Sequence, residues 1–268
     1  MSGLKRTVFS TGVVALCAWV LVPIWLIALG ALGGRSGVFR WPKSLWPGDA
    51  SFAALQTFIA VEGVWPAMVN SIIAALTCMA LSIGLGAPAG YALARFSFRG
   101  QNAYRLLILL TRAFPLAILA LPLTVSFIRI GLYDTAFGVG LVHTALALPF
   151  AALVSASLFQ AIPRELEEAA WVFGCSRWQA FRKVVLPLAL PGIAAAAIFA
   201  FVISWNEVFA ASVLSVKNRT LTAYLLTVLA ESPLHFRFAG GFLLILPSLA
   251  FIFAVRKYLF AMWGIANR

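Results

Sequence analysis

Few side chains in this sequence could do chemistry. Of its eight acidic residues, three crowd into Glu165-Leu-Glu167-Glu168, while Glu207 follows Trp205-Asn206 inside a long apolar stretch. A carboxylate at membrane depth is costly unless it faces water or a partner. Glu207 and the adjacent Asn206 are therefore candidates for hydrogen-bonding a hydroxylated solute in a pathway, for pairing with a partner membrane subunit, or for an end-of-helix position exposed to the external interface. His143 and His235 lie far apart and lack companion ligands, so packing or interface roles are expected rather than a zinc site. Cys17, Cys78 and Cys175 suggest neither a disulfide framework nor a metal set. The run Gly84-Leu-Gly86-Ala-Pro-Ala-Gly90 has no following lysine and no preceding strand, which a phosphate loop requires. Gly86 and Gly90 instead form a GxxxG pair that lets a neighbouring helix come close. No convergent acids, bases or metal ligands remain for a membrane enzyme, so no catalytic residue and no cofactor bound by this chain is expected.

The elements that must position these residues are membrane helices. The chain is 63% hydrophobic and 10% charged, against about a quarter charged in soluble domains. A spanning helix takes about 20 mostly apolar residues, and six stretches qualify: Ser10 to Leu32, Met68 to Ala94, Leu106 to Phe127, Gly138 to Gln160, Leu190 to Leu214 and Phe238 to Val255. Lys5 and Arg6 imitate the start of a signal peptide, but the apolar run continues to Gly33-Gly34-Arg35 without a cleavage site, so a retained helix is expected. The net charge of +12 sorts by loop. Lys5, Arg6, Arg95, Arg99, Arg105, Arg164, Arg177, Arg182, Lys183, Arg256, Lys257 and Arg268 fall on one side, only Arg35, Arg40, Lys43, Arg129, Lys217, Arg219 and Arg237 on the other, and Arg112 lies unassigned within the third stretch. The positive-inside rule then puts both termini in the cytoplasm.

Residues 33–66 form the longest external segment, with the pairs Trp41-Pro42, Trp46-Pro47 and Trp65-Pro66; Phe52, Leu55, Phe58 and Ile59 recur at helical spacing, as in a helix lying on the outer surface. The organisation expected is an N-terminal tail, first helix and external segment over 1–67, a membrane core over 68–262, and a tail over 263–268. Prolines at 23, 88, 115, 122, 149, 191 and 247 fall in or beside the spans, each able to kink a helix.

One cytoplasmic loop, 161–190, is long enough to hold structure of its own. Pro163 suits a helix start, and Glu165, Glu167 and Glu168 suit the positive end of the dipole. Leu166, Ala169, Ala170 and Phe173 share one face, and Gly174 supplies the left-handed turn that ends the helix. Ser176 and Gln179 make a capping box, Trp178, Phe181 and Val185 share a face, and Pro187 is expected to stop this second helix after Leu186. The expected product is two short helices with an abrupt bend, lying at the membrane surface.

The string Glu168-Ala169-Ala170, then Gly174, Val184 and Leu186-Pro187 at fixed offsets, resembles the EAA loop of ABC importer permeases of the MetI-like type I fold. Asn70-Ser71, Tyr91-Ala-Leu-Ala-Arg95-Phe, Pro163-Arg-Glu-Leu and Trp205-Asn206-Glu207 extend the resemblance to the carbohydrate, maltose-type group, in particular its MalG-like members. Where that group often has Asp-Gly-Ala, this chain has Phe173-Gly174-Cys175. A tail of Trp263-Gly-Ile-Ala-Asn-Arg268 replaces the usual basic, glycine-rich one.

The resemblance implies an all-α membrane bundle of six spanning helices with a cytoplasmic coupling loop. It also implies a second homologous permease, MalF-like and forming a heterodimer, two ATPase subunits that hold ATP and magnesium, and an external solute-binding protein. Glu168, Ala169, Ala170, Gly174, Leu186 and Pro187 would couple to the ATPase. The cargo implied is a sugar or oligosaccharide, with a polyol, glycerol phosphate or other small solute as the alternative. No inverted repeat of a secondary transporter is visible, and no ATPase motif occurs, so energy would come from a partner.

Overall fold

The computed structural model describes residues 3–42, 45–46, 51–228 and 232–262, and every regular element among them is a helix. In lipid the backbone has no water to bond, so each apolar run satisfies its amides and carbonyls along its own axis. In chain order the helices are α1 (Gly3–Leu32), α2 (Gly34–Phe39), α3 (Ala53–Ala60), α4 (Val64–Arg95), α5 (Gln101–Leu110), α6 (Leu116–Arg129), α7 (Ala136–Ala161), α8 (Glu165–Val172), α9 (Arg177–Ala180), α10 (Leu186–Asn206), α11 (Phe209–Leu214), α12 (Leu221–Val228) and α13 (Leu234–Met262). A 3₁₀ turn, Thr111–Ala113, follows α5, and a π turn, Phe181–Val185, joins α9 to α10.

Among the described residues, five helical stretches are long and apolar enough to cross a bilayer; these are the expected first, second, fourth, fifth and sixth spans. The third differs from expectation. Instead of one helix over Leu106 to Phe127, the segments Gln101–Ala113 and Leu116–Arg129 meet at 86°. Pro115 is the cause: its ring holds the preceding Phe114 extended, at φ −72° and ψ 119°, and supplies no amide to continue the ladder. Pro23, Pro88, Pro122, Pro149, Pro191 and Pro247 all lie within unbroken helices. The fifth span also departs from expectation, ending at Asn206 and restarting as α11 rather than running on to Leu214.

Two compact units divide the chain. In the unit of Met1–Trp65 and Leu225–Pro247, α3 packs on α1. Its buried face carries Ala54, Leu55 and Phe58, while Phe52 and Ile59, expected on the same apolar face, are exposed. The amide of Ser51 donates to Leu32 O at 2.9 Å, and Trp25 Nε1 donates to Leu45 O at 3.0 Å. Pro47 of the second Trp-Pro pair and the tail at 263–268 lie outside the described residues.

The unit of Pro66–Tyr224 and Ser248–Arg268 is built around α7, with α10 as its main neighbour. Here α4 meets α7 at the expected glycine pair: a Cβ on Gly86 would fall 2.9 Å from Ala151 Cβ, and one on Gly90 would fall 2.5 Å from Ser155 Cβ. Only glycine allows backbones this close. One core cluster joins Ala74, Val139, Val142, Ala210, Ala211 and Leu214; a second joins Ala87, Phe159, Val185, Ala189 and Ile193.

Candidate functional site

In the segment Ile162 to Leu186 the helix ends and caps follow the sequence as far as Gln179, while the buried face of α8 and the end of the second helix do not. A Schellman turn closes α8: Gly174 has φ +86°, its amide donates to Trp171 O at 2.9 Å, and the Cys175 amide donates to Ala170 O at 3.0 Å. The capping box is present, with Gln179 N donating to Ser176 Oγ at 3.3 Å and Ser176 N donating to Gln179 Oε1 at 2.9 Å. The second helix, however, does not stop at Pro187. It passes through the π turn, in which Leu186 N–H donates to Phe181 O, and becomes α10. Proline has no amide for Lys183 O and would crowd that carbonyl in a regular helix, so the widened turn lets the chain continue. Leu186 and Pro187 are thus in the first turn of a spanning helix rather than at the end of a surface one.

The face of α8 is also turned relative to expectation. Leu166, Ala169 and Phe173 are exposed, Phe173 and Val172 being 88% and 85% accessible, and the residue buried is Glu167, at 4%. A carboxylate takes that position because its charge is matched. Arg95 Nε pairs with Glu167 Oε1, and Tyr91 Oη donates to Oε2 at 2.8 Å. Arg95 Nη2 further donates to Ile162 O at 3.1 Å, and Arg164 Nη2 returns to Ala94 O and Arg95 O at 3.2 and 3.0 Å. With Gln101 and Arg105 donating to Leu93 O at 2.7 and 2.9 Å, the carbonyls left open at the end of α4 find donors, several of them cationic as the helix dipole favours. Tyr91, Trp171, Arg177, Trp178 and Phe181 line a cavity of about 460 Å³ beside the pair.

Glu207 sits at the break between α10 and α11, not inside a continuous span. Its Oε1 accepts from Ala210 N at 3.0 Å and its Oε2 from Ala211 N at 3.2 Å, so the side chain caps the restarted helix. His143 of α7, fully buried, bridges Glu207 Oε2 at 3.0 Å and Ser204 Oγ at 2.7 Å. Thr222 Oγ1 donates to Glu207 O at 3.1 Å. Asn206 is exposed, with Nδ2 donating to Val202 O at 2.9 Å. His143 is 64 residues from Glu207, and nothing local in the sequence pairs them.

Asp134, between α6 and α7, performs a similar service for the loop after α11. At φ +57° it aims Oδ1 at three successive amides, Val216 N at 2.8 Å and Lys217 N and Asn218 N at 3.0 Å each. Partial burial pushes its acidity the other way, but those amides and Lys217 win and hold the carboxyl below its ordinary range. Asn70 Nδ2 donates to Arg219 O at 3.2 Å, and Leu221 N donates to Ser71 Oγ at 2.8 Å, so the Asn70-Ser71 pair secures the far end of the same loop.

Of the residues singled out from sequence, Glu168, Ala169 and Gly174 are exposed on α8 and its turn, Ala170 and Leu186 are half-buried, and Pro187 is exposed. Asn206 and Glu207 form a separate locus. The sequence did not point to three separate contacts: Tyr91 and Arg95 on Glu167, His143 on Glu207, and Asp134 on the amides of Val216 to Asn218. A spacing of four between Tyr91 and Arg95 was the one available signal, since it puts both on one side of α4.

Residues 82–261 match the family described as binding-protein-dependent transport system inner membrane component. The chain belongs to this family. It is a transport subunit, not an enzyme, and a multi-pass membrane protein of the MetI-like fold. It is 36% identical over 215 residues to the putative ABC transporter permease protein ORF1 of Streptomyces antibioticus, covering 79% of this chain and 94% of that one. It is likewise 36% identical over 201 residues to the trehalose transport system permease protein SugB of Mycobacterium tuberculosis, covering 73% of each. Among solved structures, a bacterial ABC transporter involved in the import of the acidic polysaccharide alginate has a chain of the same fold, with a TM-score of 0.74 at 22% identity over 96% of this chain and 98% of that one.

Proposed function

We propose that this permease takes a sugar or oligosaccharide across the inner membrane of a bacterial cell, as one of two membrane subunits of a type I ABC importer. Its termini lie in the cytoplasm. Its partners are a MalF-like permease, two ATPase subunits carrying ATP and magnesium, and an external solute-binding protein. The relative named for trehalose transport supports a saccharide cargo. The observation that carries the reading is α8: a short helix whose apolar residues are exposed while its base is fixed by Glu167. An exposed apolar stripe on a firmly held helix suits insertion into a groove of another protein.

In this role Ala169 and Ala170 leave room for a close approach, Glu168 meets the ATPase at the rim, and Gly174 sets the direction of the following turn. Leu186 and Pro187 begin the spanning helix that receives the movement. Asn206, exposed at the α10–α11 break, lines the pathway, and Glu207 holds that break in shape.

The test is to purify the chain with its partners in lipid and measure ATP hydrolysis with the binding protein loaded by candidate saccharides. One saccharide should raise hydrolysis and be taken up. Glu168→Lys and Gly174→Asp should leave the chain inserted and weaken ATPase attachment. Normal uptake with both changes present would remove the case for α8, and stimulation by a polyol or glycerol phosphate alone would remove the saccharide.

A further inference from the structure

The end of α4 and the start of α8 are 72 residues apart in sequence, at Arg95 and Glu167. Covalently, α8 is tied backward to α7 and forward to α9 and α10, but not to α4. What ties it to α4 is one cluster. Both oxygens of the Glu167 carboxylate are held, one by Arg95 and the other by Tyr91, which stand one turn apart on α4. Two anchors on one rigid helix fix the direction of α8 as well as its position, whereas a single bond would leave a pivot. The attachment is reciprocal, because Arg95 also grips Ile162 O and Arg164 grips Ala94 O and Arg95 O. Aromatic rings wall it in: Tyr91 meets Phe181 at 4.7 Å and the fully buried Phe159 at 5.4 Å between centroids. With the Arg95 and Glu167 side chains only 7% and 5% accessible, the ion pair is screened far less than one at the surface and is stronger for it.

We infer that the Tyr91–Arg95–Glu167 cluster is the joint through which movement of α8 reaches α4, with Glu167 as the positioning residue for energy coupling. This rests on the importer reading above. When an ATPase displaces α8, α4 follows as one body, and α7 follows α4 through the tight contacts at Gly86 and Gly90. Packed elements of this kind shift between discrete arrangements rather than deforming continuously. Without the joint, α8 would pull only on the helices it is joined to in the chain, α4 would stay behind, and ATP would be spent without opening the pathway.

The experiment uses the complete importer in proteoliposomes and reads solute moved per ATP hydrolysed. Glu167→Gln and Arg95→Gln should each cut that ratio by about tenfold, within the range seen for residues along a coupling route. The double variant should be no worse than either single one, because both remove the same interaction. Unchanged ratios in the single variants, or losses that multiply in the double, would overturn the joint. If the charge variants do not assemble, Tyr91→Phe removes one hydroxyl and keeps the ring. A ratio cut by about threefold supports the joint, in the same range, and an unchanged ratio refutes it. A wild-type complex that hydrolyses ATP and moves no solute would refute the importer reading itself, and the joint with it.

Discussion

Replacing Gly90 by alanine tests the contact on which the α4–α7 pair depends. The new methyl would stand 2.5 Å from Ser155 Cβ, 2.7 Å from Ala156 N and 2.8 Å from Ala152 O. Carbon atoms prefer a separation of about 3.5 to 4 Å, so α7 must retreat by about 1 Å. Two of the three obstacles are backbone atoms that cannot rotate aside. Overpacking of this kind costs about 1 to 3 kcal/mol, opposed by a gain of up to about 1 kcal/mol from better helix propensity. Gly84 provides the control on the same helix, because nothing lies within 4 Å of a Cβ there. Gly84→Ala should therefore keep the propensity gain alone. The two variants should differ by about 2 kcal/mol, which at about 2 to 4 °C per kcal/mol separates their melting temperatures by about 4 to 8 °C. Heating each purified protein in lipid nanodiscs and following tryptophan fluorescence would measure the gap. Equal melting temperatures, or a less stable Gly84→Ala, would refute the claim that α4 and α7 touch through these glycines.

His143→Ala should destabilise the protein by about 3 kcal/mol, since Ser204 and Glu207 each lose a partner in a buried setting and a cavity is left behind; a melting temperature within 2 °C of wild type, on the order of 1 kcal/mol or less, would contradict the bridge. Asp134 gives a pH signature. Its folded carboxyl is held below the ordinary value of 3.8, so the stability it contributes is fully present above that value and is lost as pH falls through the lower folded one. The gap in melting temperature between wild type and Asp134→Ala should thus stay constant from pH 8 to about pH 5 and close below about pH 3.8; a gap that closes near neutrality would show that another group controls the loop.

How much was legible in advance differs from residue to residue. Continuous apolar runs had to become membrane helices, because a single segment satisfies its own backbone in lipid only as a helix, and five spans follow from that, although the end of the fifth does not. Gly174 ends α8 in the expected turn, and Ser176 with Gln179 starts α9 as expected, since caps and turns are local hydrogen-bond patterns written within a few residues. Gly86 and Gly90 announced a close contact without naming its partner. The sequence did not reveal which side of α8 faces inward. Amphipathic spacing suggested Leu166, Ala169 and Phe173, yet Glu167 is buried, because Arg95 and Tyr91 reach it from a helix distant in the chain. The same holds for His143 and Glu207 and for Asp134 with the amides of Val216 to Asn218. Proline was ambiguous as well. Pro115 breaks a span by 86°, whereas Pro187, accommodated by a π turn, lets a helix through. Sequence by itself determined that the apolar runs are helical and that Gly174 and the Ser176–Gln179 box end and start helices, since those depend on neighbours along the chain; only the tertiary structure decided which prolines break a helix and which faces meet, because a polar group's burial is settled by partners that folding brings from elsewhere.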